Sequence, residues 1–344
     1  DTIYALSSGS GRAGIAVIRV SGPAAGPVYS SLTGRDLPGP RVATRVRLCD
    51  PDSGESLDDG LALWFPAPGS FTGEDVLELH VHGGIAVIAA VLAVLARQPG
   101  LAMAEPGAFT RRAFLAGKLD LTGAEGLIDL IDAETEAQRR QALRQSGGAL
   151  GDLYENWRER LLRVLAHFEA LIDFPEEELP ESVMASVEEN ILGIARELSL
   201  HLADDRRGER LREGVQIAIL GPPNVGKSSL LNLLSRRDAA IVSSQAGTTR
   251  DIVEVHLDLG GYPVVLADTA GIRESGDAVE AEGVSRARAR ARSVDLKLVV
   301  CDVAAPGDFG AADLVDADTI VVINKIDLLT GAAEPLVSSP ALAV

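Results

Sequence analysis

The chain has 344 residues, of which 46% are hydrophobic and 24% charged, a globular mixture large enough for two or three domains. Fifty acidic against 32 basic side chains give a formal net charge of −18, and no segment of the chain is a basic module. Diffuse electrostatic binding to nucleic acid is therefore disfavoured, which leaves RNA binding to a local patch or a second protein. The two cysteines, Cys49 and Cys301, cannot build a disulfide framework. This favours the reducing cytoplasm, and the sequence shows no membrane span or secretory signal.

The first part of the chain is predicted to be α+β. Short apolar runs at 14–20, 61–65 and 76–81 predict strands. The apolar stretch 85–96 is too short to span a bilayer and predicts a buried helix instead.

A helical segment follows. Thr122 and Glu125 fit a capping box, which predicts that a helix begins there. Apolar residues at spacings of three and four then predict two long amphipathic helices, over 157–171 and 187–202. The prolines and acidic residues of 175–180 predict a solvated turn between these helices, whose apolar stripes indicate the core of a helical bundle.

The last third of the chain alternates between apolar runs and helical or loop segments. The runs at 215–220, 264–267, 296–300 and 319–323 predict strands. Alternation of this kind is typical of a mostly parallel sheet with helices on both faces.

A phosphate-binding loop follows the first of these strands. Residues 221–228 read GPPNVGKS and match the pattern G-x-x-x-x-G-K-S/T. In this pattern, backbone N–H groups and the start of the following helix surround a phosphate. Lys227 would bring its charge to the β- and γ-phosphates, and the Ser228 hydroxyl would bind Mg²⁺.

Two motifs downstream supply the metal and γ-phosphate contacts of such a site. GTTRD (247–251) offers the Thr249 hydroxyl to Mg²⁺. In DTAG (268–271), Asp268 would hold a metal-bound water and the Gly271 N–H would sense the γ-phosphate.

A fourth motif selects the base. NKID (324–327) follows a predicted strand, and the Asp327 carboxylate can accept from N1–H and the exocyclic amine of guanine, which adenine does not offer together. The four motifs in this order predict a guanine-nucleotide site, and this part of the chain resembles the translation-factor-related GTPases.

The motifs do not identify the residue that orients the attacking water. Ile272 follows DTAG where Ras-type GTPases have a glutamine, so either hydrolysis is very slow or another residue orients the water. The acidic candidates in the next stretch are Glu274, Asp277, Glu280 and Glu282. Asn224 could also ligate a monovalent cation, such as K⁺, that stabilises developing charge.

Further segments carry a resemblance to a known family. They are DTIYAL at 1–6, GIAVIRVSG at 14–22, FTGEDVLELHVHGG at 71–84, KLDLTGAEGLIDLIDAET at 118–135, DFPEEE at 173–178 and LREG at 211–214. Together with the GTPase motifs, in this order, they resemble the MnmE/TrmE family of tRNA-modification GTPases over essentially the whole chain.

The resemblance implies a multidomain fold. An α+β folate-binding domain, similar to the aminomethyltransferase of glycine cleavage, is expected over 1–118, and an all-α helical domain over 119–213. An inserted α/β P-loop domain of Ras-like type, with a mostly parallel sheet, is expected over 214–344. Family members continue past NKID with further G-domain elements, closing helices and a terminal Cys-x-Gly-Lys, so we expect this chain to be a C-terminally truncated piece of a longer polypeptide.

The resemblance also implies ligand contacts in the G domain. Its GTP-binding positions fall on Asn224, Val225, Gly226, Lys227, Ser228, Ser229, Ser243, Ser244, Gln245, Ala246, Gly247, Thr248, Thr249, Asp268, Thr269, Ala270, Gly271, Asn324, Lys325 and Asp327. Mg²⁺ would be held by Ser228 and Thr249, and K⁺ by Asn224, Ser243, Gln245 and Thr248. Ser243 stands where a Thr is expected. Lys227 and Glu280 would be the catalytic residues, Glu280 by positioning the water.

The family's folate ligands fall on Arg19, Glu78 and Lys118. From the sequence alone these three are ordinary surface charges. As a set they suit a tetrahydrofolate derivative (5,10-methylene- or 5-formyl-), with Glu78 facing the N–H edge of the pterin and the cations facing carboxylates.

The implied function is GTP hydrolysis within a tRNA-modifying complex. With the flavoprotein MnmG, in an expected heterotetramer, the chain would install an aminomethyl or carboxymethylaminomethyl group on C5 of the wobble uridine. A methylene-tetrahydrofolate would donate the one-carbon unit, and K⁺-dependent homodimerisation of the G domains would stimulate hydrolysis. The charge of −18 implies that MnmG supplies much of the tRNA-binding surface.

Two alternatives stay open. A ribosome-assembly GTPase switch, which binds rRNA and modifies nothing, explains 215–327 equally well but leaves 1–118 unexplained. A free-standing folate aminomethyltransferase with an appended regulatory GTPase would turn over without MnmG.

Overall fold

The computed structural model describes residues 1–173, 181–203, 206–222, 224–236, 240–241, 254–268, 292–305, 314–328 and 341–343. The chain divides into two compact units, 1–125 and 126–344. Each unit has a sheet of its own, and the two units are described separately.

The first unit is α+β, as predicted. Its six-stranded sheet has the order β3-β4-β5-β2-β1-β6 and is antiparallel except for the pair β1–β6. The strands are β1 (Thr2–Leu6), β2 (Ala13–Ser21), β3 (Thr44–Cys49), β4 (Ser56–Phe65), β5 (Val76–Gly83) and β6 (Leu101–Met103), and the helices are α1 (Ala25–Thr33), α2 (Ile85–Arg97) and α3 (Ala108–Leu115).

The core of this unit lies on one face of the sheet. Ile18 of β2 and Leu79 of β5 are buried in one cluster with Tyr29 of α1 and Leu95 of α2. Because side chains alternate between faces along a strand, the neighbours of Ile18 and Leu79 point to the opposite face. The polar residues of β2 and β5 therefore gather on the face away from α1 and α2.

Helices fill the start of the second unit. They are α4 (Leu121–Asp132), which crosses the boundary between the units, α5 (Glu136–Ser146), α6 (Ala149–Asp173), α7 (Glu181–Leu202) and α8 (Arg207–Glu213). The helices α6 and α7 confirm the two predicted long helices, with Trp157 and Val164 of α6 and Val187 and Ile194 of α7 buried. Across this pair, Trp157 Nε1 donates to Glu197 Oε2 at 2.7 Å. No helix in the described residues is both long and apolar enough to cross a membrane.

The predicted cap of α4 is wrong. Thr122 lies inside the helix, and the Asp120 carboxylate, one residue before the helix begins, accepts a hydrogen bond from Gly123 N at 2.6 Å. An Asp before the first helical turn is as good a cap as a Thr, and here it lies closer to the free N–H groups. A reciprocal capping box instead starts α5, between Thr135 and Gln138.

The second sheet is mostly parallel, as predicted. Its order is β13-β12-β11-β7-β10-β9-β8, and only the pairs that β9 makes with β8 and β10 are antiparallel. The strands are β7 (Val215–Leu220), β8 (Ala240–Ile241), β9 (Glu254–Leu259), β10 (Tyr262–Asp268), β11 (Leu296–Asp302), β12 (Thr319–Asn324) and β13 (Ala341–Ala343), and α9 (Lys227–Arg236) follows β7. The strands β8, β9 and β13 were not predicted from the sequence.

The hairpin of β9 and β10 contacts the helices of the same unit. At its turn, the Gly261 carbonyl accepts a hydrogen bond from Ala137 N, in the first turn of α5, at 3.1 Å. On β9, His256 Nδ1 lies 3.0 Å from Glu134 Oε2, just before α5. The hairpin is thus attached to the start of α5 by a main-chain bond and a side-chain contact.

Candidate functional site

The parallel strands of the second sheet bring the sequence motifs to one edge. Asp268, the last residue of β10, is paired with Ile219 of β7, two residues before the glycine-rich loop begins at Gly221. Asp302, the last residue of β11, is paired with Asn324, the last residue of β12. Ligands of open α/β sheets bind at the carboxyl ends of parallel strands, and that is where the loop, Asp268 of DTAG and NKID lie.

The glycine-rich loop ends where α9 begins, at Lys227. The Lys227 ammonium donates to the carbonyls of Gly221 at 2.8 Å and Pro222 at 2.7 Å, so it is held against the loop. Ser228 and Ser229 are exposed in the first turn of α9. A lysine charge, an exposed hydroxyl and the backbone N–H groups at a helix start fit a phosphate chain with its Mg²⁺.

A hydrogen bond from the side chain of Asn324 joins the NKID motif to the main chain of this loop. Asn324 Nδ2 donates to the Val225 carbonyl at 2.8 Å. Gly226 has φ 103°, and a Cβ placed there would lie 2.1 Å from Asn324 Nδ2. The asparagine can approach the loop because position 226 has no side chain. Asn224 also has a left-handed φ of 63°, with its side chain exposed.

The lysine of NKID has a partner that the sequence did not reveal. Lys325 Nζ lies 2.6 Å from Asp302 Oδ2, and this hydrogen bond, above other causes, lowers the pKa of the Asp302 carboxyl. Asp327 is exposed in a single 3-10 turn, Ile326–Leu328. No motif marks Asp302, and only the pairing of β11 with β12 brings it to Lys325.

Replacing Asp302 with Asn should cost stability at neutral pH but not in strong acid. Because Lys325 lowers the pKa of the folded carboxyl, the ion pair stabilises the fold above the ordinary pKa of Asp and is lost as the pH falls through the lowered value. We expect the urea midpoints of wild type and Asp302→Asn to differ at about pH 7 and to converge towards about pH 2. A difference that is the same at both pH values would contradict this origin.

Several predicted site residues lie outside the described residues. They are Ser243, Ser244, Gln245, Ala246, Gly247, Thr248, Thr249, Thr269, Ala270, Gly271 and Glu280, together with Ile272, Glu274, Asp277 and Glu282. In the part of the chain that is described, no group of three or more His, Cys, Asp or Glu side chains could hold a metal ion.

A second polar cluster lies on the open face of the first sheet. Arg19 and Glu78 are paired residues of β2 and β5. Arg19 Nε and Nη2 both donate to Glu78 Oε1, at 2.9 and 2.7 Å, and the two side chains are only 25% and 17% exposed. Two of the three predicted folate ligands thus form a half-buried ion pair rather than separate surface charges.

Aromatic rings flank this pair. The Arg19 guanidinium carbon lies 5.5 Å from the ring centres of both Phe71 and Phe109. Lys118 lies beside the same loop as Phe71, because a Cβ on Gly73 would be 3.7 Å from Lys118 Cε. A carboxylate, two cations and two rings suit a flat heterocycle with an N–H edge and an anionic tail. Phe71 falls within the FTGED segment, whereas nothing in the sequence marks Phe109.

Two family models match the chain. One, described as the N-terminus of the GTP-binding protein TrmE, matches residues 2–118. The other, described as the MnmE helical domain, matches residues 121–335. The first model covers the Arg19–Glu78 cluster, and the second covers the helices together with the glycine-rich loop and NKID.

Similar proteins carry the same family name. A tRNA modification GTPase MnmE of Parvibaculum lavamentivorans is 60% identical over 331 residues, covering 95% of this chain and 75% of the relative. One of Paramagnetospirillum magneticum is 59% identical, covering 96% and 75%. A human mitochondrial protein, named as the GTPB3 subunit of a 5-taurinomethyluridine-tRNA synthase, is 53% identical, covering 99% of this chain and 68% of the relative.

Proposed function

The chain belongs to the MnmE/TrmE family, and we propose that it hydrolyses GTP to drive modification of the wobble uridine in tRNA. The observation that carries the proposal is the convergence of Lys227, the glycine-rich loop and Asn324 at one sheet edge, in a chain whose N-terminal part matches the TrmE model. A ribosome-assembly switch would need the first site alone and leaves residues 2–118 without a role.

In the nucleotide site, the residues of this chain would bind the phosphates and the base and orient the attacking water. We propose that Lys227 neutralises the β- and γ-phosphates and that Asp327 accepts the N–H edge of guanine. Ser228 and Thr249 would hold Mg²⁺ through their hydroxyls, and the bound ion would neutralise phosphate charge. Glu280 would position the attacking water. The exposed hydroxyl of Ser228 and the placement of Lys227 against the loop support these roles.

A potassium ion is proposed beside the phosphates. Its ligands would be Asn224, Ser243, Gln245 and Thr248, and it would stabilise the charge that develops during hydrolysis. The exposed side chain of Asn224 in the loop supports this proposal. G-domain dimerisation would complete this arrangement.

In the first unit we propose a site for a tetrahydrofolate derivative. Glu78 would accept the N–H edge of the pterin, and Lys118 would face the glutamate tail. Arg19 would hold the carboxylate of Glu78 in place. The support is the half-buried Arg19–Glu78 pair between two phenylalanine rings. When bound, the folate supplies the one-carbon unit.

The proposed assembly is a homodimer that works with the flavoprotein MnmG in the cytoplasm and meets tRNA through that complex. The human relative, named as a synthase subunit, supports a complex of more than one kind of chain. We propose three domains within the chain, at 1–118, 119–213 and 214–344. The division into compact units at 125/126 supports a boundary near the first of these.

Mass spectrometry of tRNA nucleosides tests the proposal. Cells that lack the gene should lose the C5-aminomethyl-type wobble uridines, and the wild-type gene should restore them. Lys227→Ala should fail to restore them, whereas Arg47→Ala, on the edge strand β3, should succeed. An unchanged nucleoside profile would overturn the proposal and favour the ribosome-assembly switch. Turnover by the purified protein without MnmG would favour a free-standing aminomethyltransferase.

A further inference from the structure

A histidine beside the Arg19–Glu78 pair has no role in the proposed function so far. Glu78 and His80 lie two residues apart on β5 and therefore project from the same face of the sheet. The residues paired with His80 on the flanking strands are apolar, Val17 of β2 and Leu61 of β4. His80 is thus a polar ring set among apolar neighbours, next to the carboxylate of Glu78.

The two oxygens of Glu78 are used differently. Oε1 accepts both hydrogen bonds from Arg19. Oε2 faces His80 Nε2 at 3.6 Å, a separation slightly longer than a hydrogen bond. A carboxylate oxygen has two lone pairs, so Oε2 can take one bond from His80 and still accept one from another molecule.

The ring nitrogen of His80 is the unsatisfied member of this group. Nε2 is buried, and it has no hydrogen-bond partner among the described residues, although the whole side chain is 29% exposed. Buried polar atoms without partners are rare in folded proteins and call for an explanation. A rotation of the Glu78 carboxylate that moves Oε2 by about 0.5–1 Å would bring it within hydrogen-bond distance of Nε2.

We infer that His80 is a positioning residue for Glu78 in the proposed pterin site. His80, as the tautomer that carries its proton on Nε2, donates to Oε2 when a ligand with an N–H edge engages the carboxylate. Arg19 then fixes one oxygen of Glu78 and His80 the other, so the plane of the carboxylate is set for the ligand. This inference rests on the proposed folate site.

Calorimetric binding of 5-formyltetrahydrofolate to the purified protein tests it. We expect His80→Leu to weaken binding about tenfold, the effect of losing one hydrogen bond to a charged group. His80→Gln, which keeps an N–H donor, should stay within about twofold of wild type. The matched control is His82→Leu, on the same strand, because His82 is exposed and pairs with Asp58 instead; it should bind like wild type.

A double-mutant cycle separates positioning from a general structural effect. If His80 acts through Glu78, His80→Leu should change the affinity little once Glu78 is replaced by Gln. Binding of p-aminobenzoyl-glutamate, which has no pterin, should be the same in wild type and His80→Leu. An equal loss for both ligands would overturn the inference.

The outcomes also separate this inference from the proposal beneath it. If the wild type does not bind 5-formyltetrahydrofolate, the folate site itself is wrong and the inference falls with it. If the wild type binds and His80→Leu binds equally well, or His80→Gln is as weak as His80→Leu, only the positioning role is wrong.

Discussion

Replacing Gly226 with Ala is expected to reduce GTP affinity by about 30- to 150-fold. The left-handed backbone at φ 103° disfavours any side chain, by about 1–2 kcal/mol for a non-glycine residue. The new Cβ would also lie 2.1 Å from Asn324 Nδ2, so Asn324 must give up its hydrogen bond to the Val225 carbonyl. The NKID motif would then shift relative to the glycine-rich loop. The strain and the lost hydrogen bond together account for about 2–3 kcal/mol.

Gly260→Ala provides a matched control. Gly260 lies in the turn between β9 and β10 with φ 66°, and a Cβ there would meet no atom within 4 Å. This variant has a left-handed alanine without the collision, so we expect a small loss of stability and wild-type nucleotide binding. Fluorescent-nucleotide titration of both variants decides the matter. Equal affinities for Gly226→Ala and Gly260→Ala would show that Asn324 does not depend on the loop.

Replacing Arg19 with Ala is expected to abolish binding at the proposed folate site and to destabilise the first unit by about 2 kcal/mol. Loss of one partner leaves the Glu78 carboxylate, only 17% exposed, without its counter-charge. Breaking a fully buried pair costs about 3–5 kcal/mol, and partial exposure of this pair reduces that figure. The contacts of Arg19 with Phe71 and Phe109 are lost as well.

The ion pair of Arg47 with Asp59 serves as the comparison. It joins β3 to β4 in the same sheet, but its side chains are 64% and 43% exposed. Exposed ion pairs are screened by water and contribute little, so Arg47→Ala should leave the unfolding transition and folate affinity nearly unchanged. Thermal unfolding and 5-formyltetrahydrofolate titration of the two variants would show the contrast; similar losses in both would mean that burial does not distinguish the pairs.

Patterns local in sequence were predicted well. The helices α6 and α7 follow directly from apolar residues at spacings of three and four, because those residues share one face of a helix. The glycine-rich loop was predicted from its residues and its position after a strand, and it does connect β7 to α9. In both cases the decisive interactions are formed between residues close together in the chain.

Contacts that depend on which strands pair, and in which register, could not be predicted from the sequence. Arg19 and Glu78 are 59 residues apart, and only the pairing of β2 with β5 brings them together. The helix α1 was missed because its stretch, AGPVYSSLT, contains Gly and Pro near its start and is stabilised by burial of Tyr29 and Leu32. At α4, both Asp120 and Thr122 are suitable caps by type, and the sequence does not choose between them.

The attachment of the β9–β10 hairpin to α5 has a mechanical consequence. Strand β10 runs from Tyr262, next to the Gly261 carbonyl bound by Ala137, to Asp268 at the nucleotide edge. An extended strand of this length spans about 20 Å and cannot stretch. A displacement of Asp268 along the strand axis would therefore displace Gly261 by a similar distance. The start of α5 would then have to move with it, or the hydrogen bond from Ala137 N to the Gly261 carbonyl would break. The start of α5 is thus linked through β10 to the nucleotide edge of the sheet.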